Sequence, residues 1–164
     1  MKGLENNTYV TLLLISNFIA ILLLYTAWKY PRVSRFLFVL LFTWAGWMNW
    51  RTLLNNPESY LEYGRVTFLP FYERFINGWF SKHIALIVGV IATSQLLIAI
   101  GLQSKGQLFK VAAVGAILFF ISIVPLGVGS GFPCSLIMAI AMYQLLKRPP
   151  ASYLWVSEQK RLVH

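Results

Sequence analysis

The side chains that could do chemistry in this chain are concentrated between residues 51 and 83. They are two arginines, a tyrosine, two glutamates and a histidine: Arg51, Tyr60, Glu62, Glu73, Arg74 and His83. Carboxylates and guanidinium groups can pair with each other or hold a polar headgroup, and a histidine can transfer a proton near neutral pH. The pattern predicts a ligand-binding site in this region, and it identifies no catalytic residue.

Gln95 stands apart from these groups, in the middle of an apolar run. An amide that is unpaired in hydrocarbon is costly, so two interpretations follow. In the first, Gln95 makes a hydrogen bond between helices, as polar residues in membrane bundles commonly do. In the second, it binds the headgroup of a ligand, such as a quinone carbonyl. Asn49 is likewise expected to make a hydrogen bond between helices.

The tryptophans form a second pattern, because three of them precede Arg51 at a spacing of three residues: Trp44, Trp47 and Trp50. On a helix, all four side chains fall within an arc of about 120°. One interpretation is an aromatic belt at a membrane surface, in which Arg51 reaches phosphates. The other turns Arg51 inward, to pair with a glutamate at position 58, 62 or 73. Trp79 is a further candidate anchor at the surface.

The chain has few side chains that could bind a metal ion or take part in redox chemistry. One cysteine cannot form an internal disulfide, and two histidines are too few for a His-rich metal site. No cofactor is evident and no metal is expected. A quinone or a lipid remains compatible with the residues.

Composition places the chain in a bilayer. Hydrophobic residues make up 58% of it and charged residues only 12%, and a soluble domain of 164 residues cannot bury that much apolar surface. The net charge of +9 is carried in short segments between apolar runs. That distribution fits the positive-inside rule of membrane proteins, and it argues against nucleic-acid binding.

Five apolar runs predict an all-α, polytopic membrane helix bundle of four to five spans. The runs cover about 9–28, 36–54, 83–102, 108–124 and 132–146, in a single domain (1–146) followed by a cytoplasmic tail (147–164). A crossing needs about 20 residues, so the fifth run is short for a full span. The first run lacks the flanks of a cleaved signal peptide and is expected to be retained.

The loops give the expected orientation. Positive charges follow spans one, three and five, whereas the N-terminus and the segments at 55–82 and 125–133 have a balanced charge or none. We therefore expect an inner (cytoplasmic) membrane protein with its N-terminus outside and its C-terminus in the cytoplasm. The segment at about 57–80 should form interfacial helices, since its second half pairs apolar residues four positions apart. The glycine-rich stretch at 125–133 predicts a sharp, non-helical outer turn, which could border a cavity.

The order of these segments resembles the DoxX-like group of small bacterial membrane proteins. The resemblance rests on "RFLFVLLFTWAGWMNW" (35–50), "NPESYLEY" (56–63), "LPFYERF" (69–75) and "ALIVGVIATSQLLIAIGL" (85–102). It implies a small helix bundle with a loose association to membrane redox or quinone systems, and it implies no catalytic residues. This chain departs from the group in its extra N-terminal span and in Gln95, where the group often has an acidic residue.

Three functions are compatible with these features. The first is a non-catalytic accessory or structural subunit, or a lipid- or quinone-binding module, of a membrane redox complex. The second is a small membrane enzyme or quinone-reactive subunit with its site at residues 51–83. The third is an oligomeric transporter, although the spans offer few polar groups for a path. The expected partners are the bilayer and either other membrane subunits or further copies of the chain.

Overall fold

The computed structural model of the protein describes residues 7–156, which are helical throughout apart from short turns and contain no strand. The long helices are α1 (Asn7–Lys29), α2 (Pro31–Asn55), α5 (Ile84–Leu102), α6 (Gly106–Ile123) and α7 (Cys134–Lys147). Two short helices, α3 (Tyr63–Val66) and α4 (Pro70–Phe75), lie between α2 and α5. Tighter 3-10 turns cover Pro57–Glu62 and Val124–Ser130, and a wider π-helical turn covers Ile76–Phe80. The predicted all-α class is confirmed for the described residues.

The long helices pack as a ring in the order α1, α2, α5, α6 and α7, and α7 returns to contact α1. Their inward faces meet in one apolar core that includes Phe38, Phe42, Leu102, Phe120 and Met142. Phe42 and Phe120 contact each other with ring centroids 5.3 Å apart. The core is therefore a packing of aromatic and aliphatic side chains contributed by all five long helices.

Large apolar side chains also cover the outside of the ring, as a lipid-facing surface requires. Examples are Leu14, Ile21, Val90, Leu97 and Leu118, all of which are exposed. Three helical stretches are long and apolar enough to cross a membrane: Val10–Lys29, Ile84–Leu102 and Gly106–Gly127. These stretches mark the chain as a membrane protein. α7 has 14 residues, or about 21 Å of helix, which falls short of the ~30 Å hydrocarbon layer.

The glycine-rich stretch before α7 differs in detail from its prediction. Residues Val124–Ser130 continue α6 as tight helical turns, and the helical geometry breaks only at Gly127, where φ is 61°. That left-handed conformation is accessible to glycine and strained for most other residues. A second left-handed glycine, Gly131 with φ of 70°, lies in the non-helical turn at 131–133, so the predicted stretch is helical in its first part and a turn in its last.

Gly101 sets the distance between α5 and α6. A Cβ atom built on it would lie 2.6 Å from Cβ of Ala112, an atom fixed by the backbone of α6. At Gly115, by contrast, the nearest atoms to such a Cβ are in the Ile98 side chain, at 3.5 Å and beyond. Small residues at such crossings let helix backbones approach closely in membranes.

We expect Gly101→Ala to lower the free energy of unfolding by about 2 kcal/mol, because α5 and α6 must move apart to admit the methyl group. Gly115→Ala, in the same pair of helices, should change it by less than about 0.5 kcal/mol. Thermal unfolding of both variants in the same detergent checks the difference. Equal stability of the two variants would contradict the packing described here.

Arg35 lies near the start of α2, where the sequence assigns it to a positively charged loop, yet its side chain is only 4% exposed. Nε donates to the carbonyl of Leu102 at 2.5 Å, and Nη2 donates to the carbonyls of Gln103 and Ser104, both at 2.7 Å. The last carbonyls of a helix lack partners within it and carry its negative dipole end. Arg35 therefore caps the C-terminus of α5 from a neighbouring helix.

The segment after α7 lies against this same end of the bundle, called the tail end below. Leu154 N–H donates to Gln103 O at 3.0 Å, and Arg35 Nη1 donates to Ser152 O at 3.2 Å. Arg32 Nη2 donates to the carbonyls of Leu154 and Val156. The first part of the predicted tail, residues 148–156, is thus held on the bundle, while residues 157–164 lie outside the described residues.

Candidate ligand pocket between α2, α5, α6 and the connector

The segment between α2 and α5, residues 56–83 and called the connector, is fastened to the junction of α6 and α7. Thr67 Oγ1 donates to Pro125 O at 2.6 Å, and Phe68 N–H donates to the same carbonyl at 3.3 Å. Tyr72 OH donates to Ser122 O at 2.9 Å. These bonds satisfy carbonyls that the irregular end of α6 leaves without helical partners. The connector is therefore a packed layer over one end of the bundle, opposite the tail end.

A pocket of about 350 Å³ lies beneath this layer. Its walls come from α2, α5, α6, the connector and the Val124–Ser130 turns. The apolar lining residues are Phe75, Ile76, Phe80, Ile87, Val88, Ile91, Phe119, Ile123 and Leu126. The polar ones are Asn49, Tyr60, Tyr63, Tyr72, Ser122 and Ser130. An apolar pocket with a few polar groups is the usual form of a small-molecule site, and this volume suits a ring-sized group.

A chain of hydrogen bonds runs from the pocket wall into the core. Tyr60 OH donates to Asn49 Oδ1 at 2.8 Å, and Asn49 Nδ2 donates to Gln95 Oε1 at 2.7 Å. Asn49 and Tyr60 line the pocket, whereas Gln95 lies behind Asn49 and is only 1% exposed. The expected hydrogen bond between helices is confirmed, because Asn49 belongs to α2 and Gln95 to α5. Gln95 can influence a bound molecule by fixing the orientation of Asn49.

The lining also limits the chemistry of the site. A carboxamide has two N–H donors, and Gln95 uses one of those on Asn49, which leaves one for an acceptor such as a carbonyl. Burial raises the pKa of the Tyr60 phenol, so this group stays neutral at physiological pH. The lining contains no Lys, Arg, Asp, Glu or His. The pocket is therefore suited to an uncharged, largely apolar molecule that accepts hydrogen bonds.

The π-helical turn at Ile76–Phe80 shapes the wall on the connector side. It leaves Ile76 and Phe80 buried, while Trp79 is 55% exposed. Turns of this kind inside helices are frequent at functional sites. The apolar residues predicted to form one stripe on a helix are thus divided between the pocket and the outer surface.

Close approach of the Val124–Ser130 turns to the connector depends on Gly129. A Cβ atom at that position would lie 2.7 Å from the ring of Tyr63. The rings of Tyr60 and Tyr63 are in turn 6.2 Å apart. The glycine therefore allows the tyrosines to form one side of the pocket.

Most of the ionisable residues singled out in the sequence lie outside this pocket. Arg51, Glu62 and Arg74 are exposed, and Glu73 is half-buried in α4. The guanidinium of Arg51 lies over the ring of Trp47, at 5.6 Å from its centroid. Of the six candidates between residues 51 and 83, Tyr60 alone lines the pocket. The geometry favours the outward interpretation of Arg51.

His83 and the tryptophans have positions that fit structural roles. His83 precedes the first residue of α5, stacks on Trp79 with ring centroids 4.6 Å apart, and places Nδ1 2.9 Å from Trp79 O. Trp44, Trp47 and Trp79 each expose more than half of their surface, and Trp50 exposes about a third. Such exposure is compatible with the predicted anchoring at a membrane surface.

Several lining residues went unnoticed in the sequence, among them Tyr63, Tyr72, Ser122 and Ser130. The feature of the sequence that could have indicated them is the presence of three tyrosines in the connector, a segment that the sequence predicts to lie on the membrane surface. Within the described part of the chain, no group of three or more His, Cys, Asp or Glu side chains is placed to hold a metal ion.

Comparisons with protein-family models, with curated proteins and with solved structures found no match to this chain. The proposals below therefore depend on the residues and geometry described above.

Proposed function

We propose that this protein is a membrane-embedded binding module for an uncharged, lipid-soluble molecule with a carbonyl-bearing ring, of which an isoprenoid quinone is the leading example. The observation that carries the proposal is the 350 Å³ pocket, in which apolar walls surround the Asn49 carboxamide. The spare N–H of Asn49 is the donor for a ligand carbonyl, and the Tyr60 and Gln95 side chains hold that carboxamide in place.

We further propose that α2 is a fourth span and that α7 inserts only partly. α2 has 25 residues, or about 38 Å of helix, and its central part is continuously apolar. The described glutamates, Glu58, Glu62 and Glu73, are all in the connector, whereas the cations outside the connector lie mainly at the tail end. The positive-inside rule then assigns the tail end to the cytoplasm of a bacterial inner membrane, and the N-terminus and the pocket to the outer side.

The role that fits best is a non-catalytic accessory subunit of a membrane redox complex. A pocket without acids, bases or metal ligands can hold a quinone near a partner, but it offers little for chemistry on the ring. Kinship with the DoxX-like group, suggested by the order of segments in the sequence, supports the same role. A plain lipid in the pocket is the other occupant that its apolar walls would accept.

A small membrane enzyme with its site at the connector is the second hypothesis, and the geometry gives it less support. Catalysis in the connector would need several of its ionisable side chains to meet around one substrate. Those side chains are Glu62, Glu73, Arg74 and His83, and none of them lines the pocket. An oligomeric transporter is weaker still, because the described core is packed with phenylalanine and aliphatic side chains.

Tyr60→Phe tests the pocket without changing its shape. Without the phenol, the Asn49 carboxamide is held by Gln95 alone and loses one of its two side-chain partners, so we expect the affinity for a short-chain quinone to fall about fivefold. Tyr153→Phe, which removes a phenol at the tail end, is the matched control and should bind as the wild type does. Isothermal titration calorimetry of the purified proteins measures both, and equal affinities for all three proteins would contradict the proposed site.

A further inference from the structure

The tail end carries a cluster of exposed cations. Among the described residues, six Lys and Arg side chains are exposed there: Lys29, Arg32, Lys105, Lys110, Lys147 and Arg148. Every glutamate in residues 7–156 belongs to the connector at the other end. Clustered cations beside membrane helices attract anionic lipids, at about 1 kcal/mol for each charge near the surface. The tail end therefore has the charge of a binding surface for anionic headgroups.

One of these cations borders an apolar groove. Arg32 lines an open groove of about 270 Å³ together with Val33, Phe36 and Leu154. Val33 and Phe36 each expose half of their surface. A phospholipid combines a charged headgroup with an apolar chain, and this groove offers a guanidinium next to apolar side chains.

Arg32 is also held in position by hydrogen bonds that use only part of its N–H donors. Its Nη2 donates to the carbonyls of Leu154 at 2.7 Å and Val156 at 2.9 Å, which fixes the plane of the guanidinium. Nη1 and Nε make no hydrogen bond within residues 7–156. Arg35, one turn away, differs because Nε, Nη1 and Nη2 all donate to backbone carbonyls. Because Nη2 belongs to both edges of the guanidinium that can bind in a bidentate way, the remaining N–H groups can each donate one charge-assisted hydrogen bond to a phosphate oxygen.

We propose that this groove is a binding site for an anionic phospholipid. The phosphate accepts a hydrogen bond from Nη1 of Arg32, and the start of an acyl chain lies along Val33 and Phe36. Exposed aromatic rings at this end, Tyr30 and Trp155, would lie at the headgroup level beside it. The site is distinct from the pocket under the connector, so a result that overturns one of the two proposals leaves the other unaffected.

Native mass spectrometry tests this site directly. The delipidated full chain is incubated with equal amounts of phosphatidylglycerol and phosphatidylcholine that have identical acyl chains. We expect the wild type to retain phosphatidylglycerol about fivefold more than phosphatidylcholine, and Arg32→Gln to lose most of that preference. Arg148→Gln removes an exposed cation of the same end that does not line the groove, and it should keep the preference.

Two results would overturn the proposal. One is equal retention of the two lipids by the wild type, which would instead favour an acidic protein segment as the partner of these cations, and which needs no variant to fold. The other is an equal loss of preference in Arg32→Gln and Arg148→Gln, which would show a diffuse charge effect rather than a site. Arg32→Lys keeps the charge but replaces the guanidinium that the Leu154 and Val156 carbonyls hold in place by a flexible ammonium group, so we expect it to retain only part of the preference.

Discussion

Replacing Arg35 by methionine is expected to lower the free energy of unfolding by about 3 kcal/mol, the largest effect on stability that we predict for a single residue. The buried guanidinium donates to the carbonyls of Leu102, Gln103, Ser104 and Ser152. Methionine fills a similar volume but donates no hydrogen bond, so the C-terminus of α5 loses its cap and the tail loses one attachment. The loss of the ring contact between Arg35 and Phe109 adds a smaller term.

Thermal unfolding in a single detergent, followed by size-exclusion chromatography after heating, measures this effect. Arg148→Met is the matched control, since it removes an exposed cation at the same end and should change stability by less than about 0.5 kcal/mol. Arg35→Lys should recover only part of the loss, because one ammonium group cannot reach all of these carbonyls in the geometry of a fork. If Arg35→Met were as stable as Arg148→Met, the capping role would be wrong.

Replacing Asn49 by leucine is expected to weaken ligand binding at least tenfold and to lower the free energy of unfolding by about 2 kcal/mol. The stability loss arises mainly because the buried Gln95 Oε1 loses its hydrogen-bond partner, which is costly, whereas the Tyr60 hydroxyl keeps the backbone carbonyl of residue 49 at 3.2 Å. Binding weakens because the spare N–H of Asn49 is the proposed donor to the ligand. We expect at least a tenfold fall in affinity for a short-chain quinone.

A double variant separates these two effects. Removing both members of a buried hydrogen bond is often close to neutral, so Asn49→Leu/Gln95→Leu should regain most of the stability and still bind weakly. Asn55→Leu, at the exposed end of the same helix, is the control for the change of residue type and should retain both properties. Calorimetric titration and thermal unfolding of the three variants check this. If the double variant bound the short-chain quinone with full affinity, Asn49 would not be part of the binding site.

The long helices could be predicted from the sequence because each apolar run has the length and composition of a buried or lipid-facing helix. The contact between Asn49 and Gln95 was likewise foreseeable, since an amide in an apolar helix needs a partner. The capping role of Arg35 could not be predicted from the sequence. A charge next to a proline-containing turn has the pattern of a loop cation, and only the packing of α2 against the end of α5 shows that it is buried.

The candidate site was harder to predict for a related reason. Ionisable residues such as Glu62 and Arg74 attract attention in a sequence, but their side chains are exposed in the folded connector. The pocket combines Asn49, Tyr60 and Ser122, which lie in three separate segments. Their convergence depends on how the connector folds back onto α6, through contacts such as Thr67 to Pro125 that periodicity does not encode.

Native mass spectrometry of the wild-type protein, solubilised gently from the membranes in which it was made, shows whether the pocket beneath the connector holds a ligand. We expect one bound molecule per chain with the mass of an isoprenoid quinone or a similar uncharged carbonyl-bearing lipid. That molecule should be absent from Asn49→Leu/Gln95→Leu and present in Asn55→Leu. A wild-type chain free of any such molecule, or equal occupancy in the double variant, would contradict the claim that the pocket beneath the connector is a binding site.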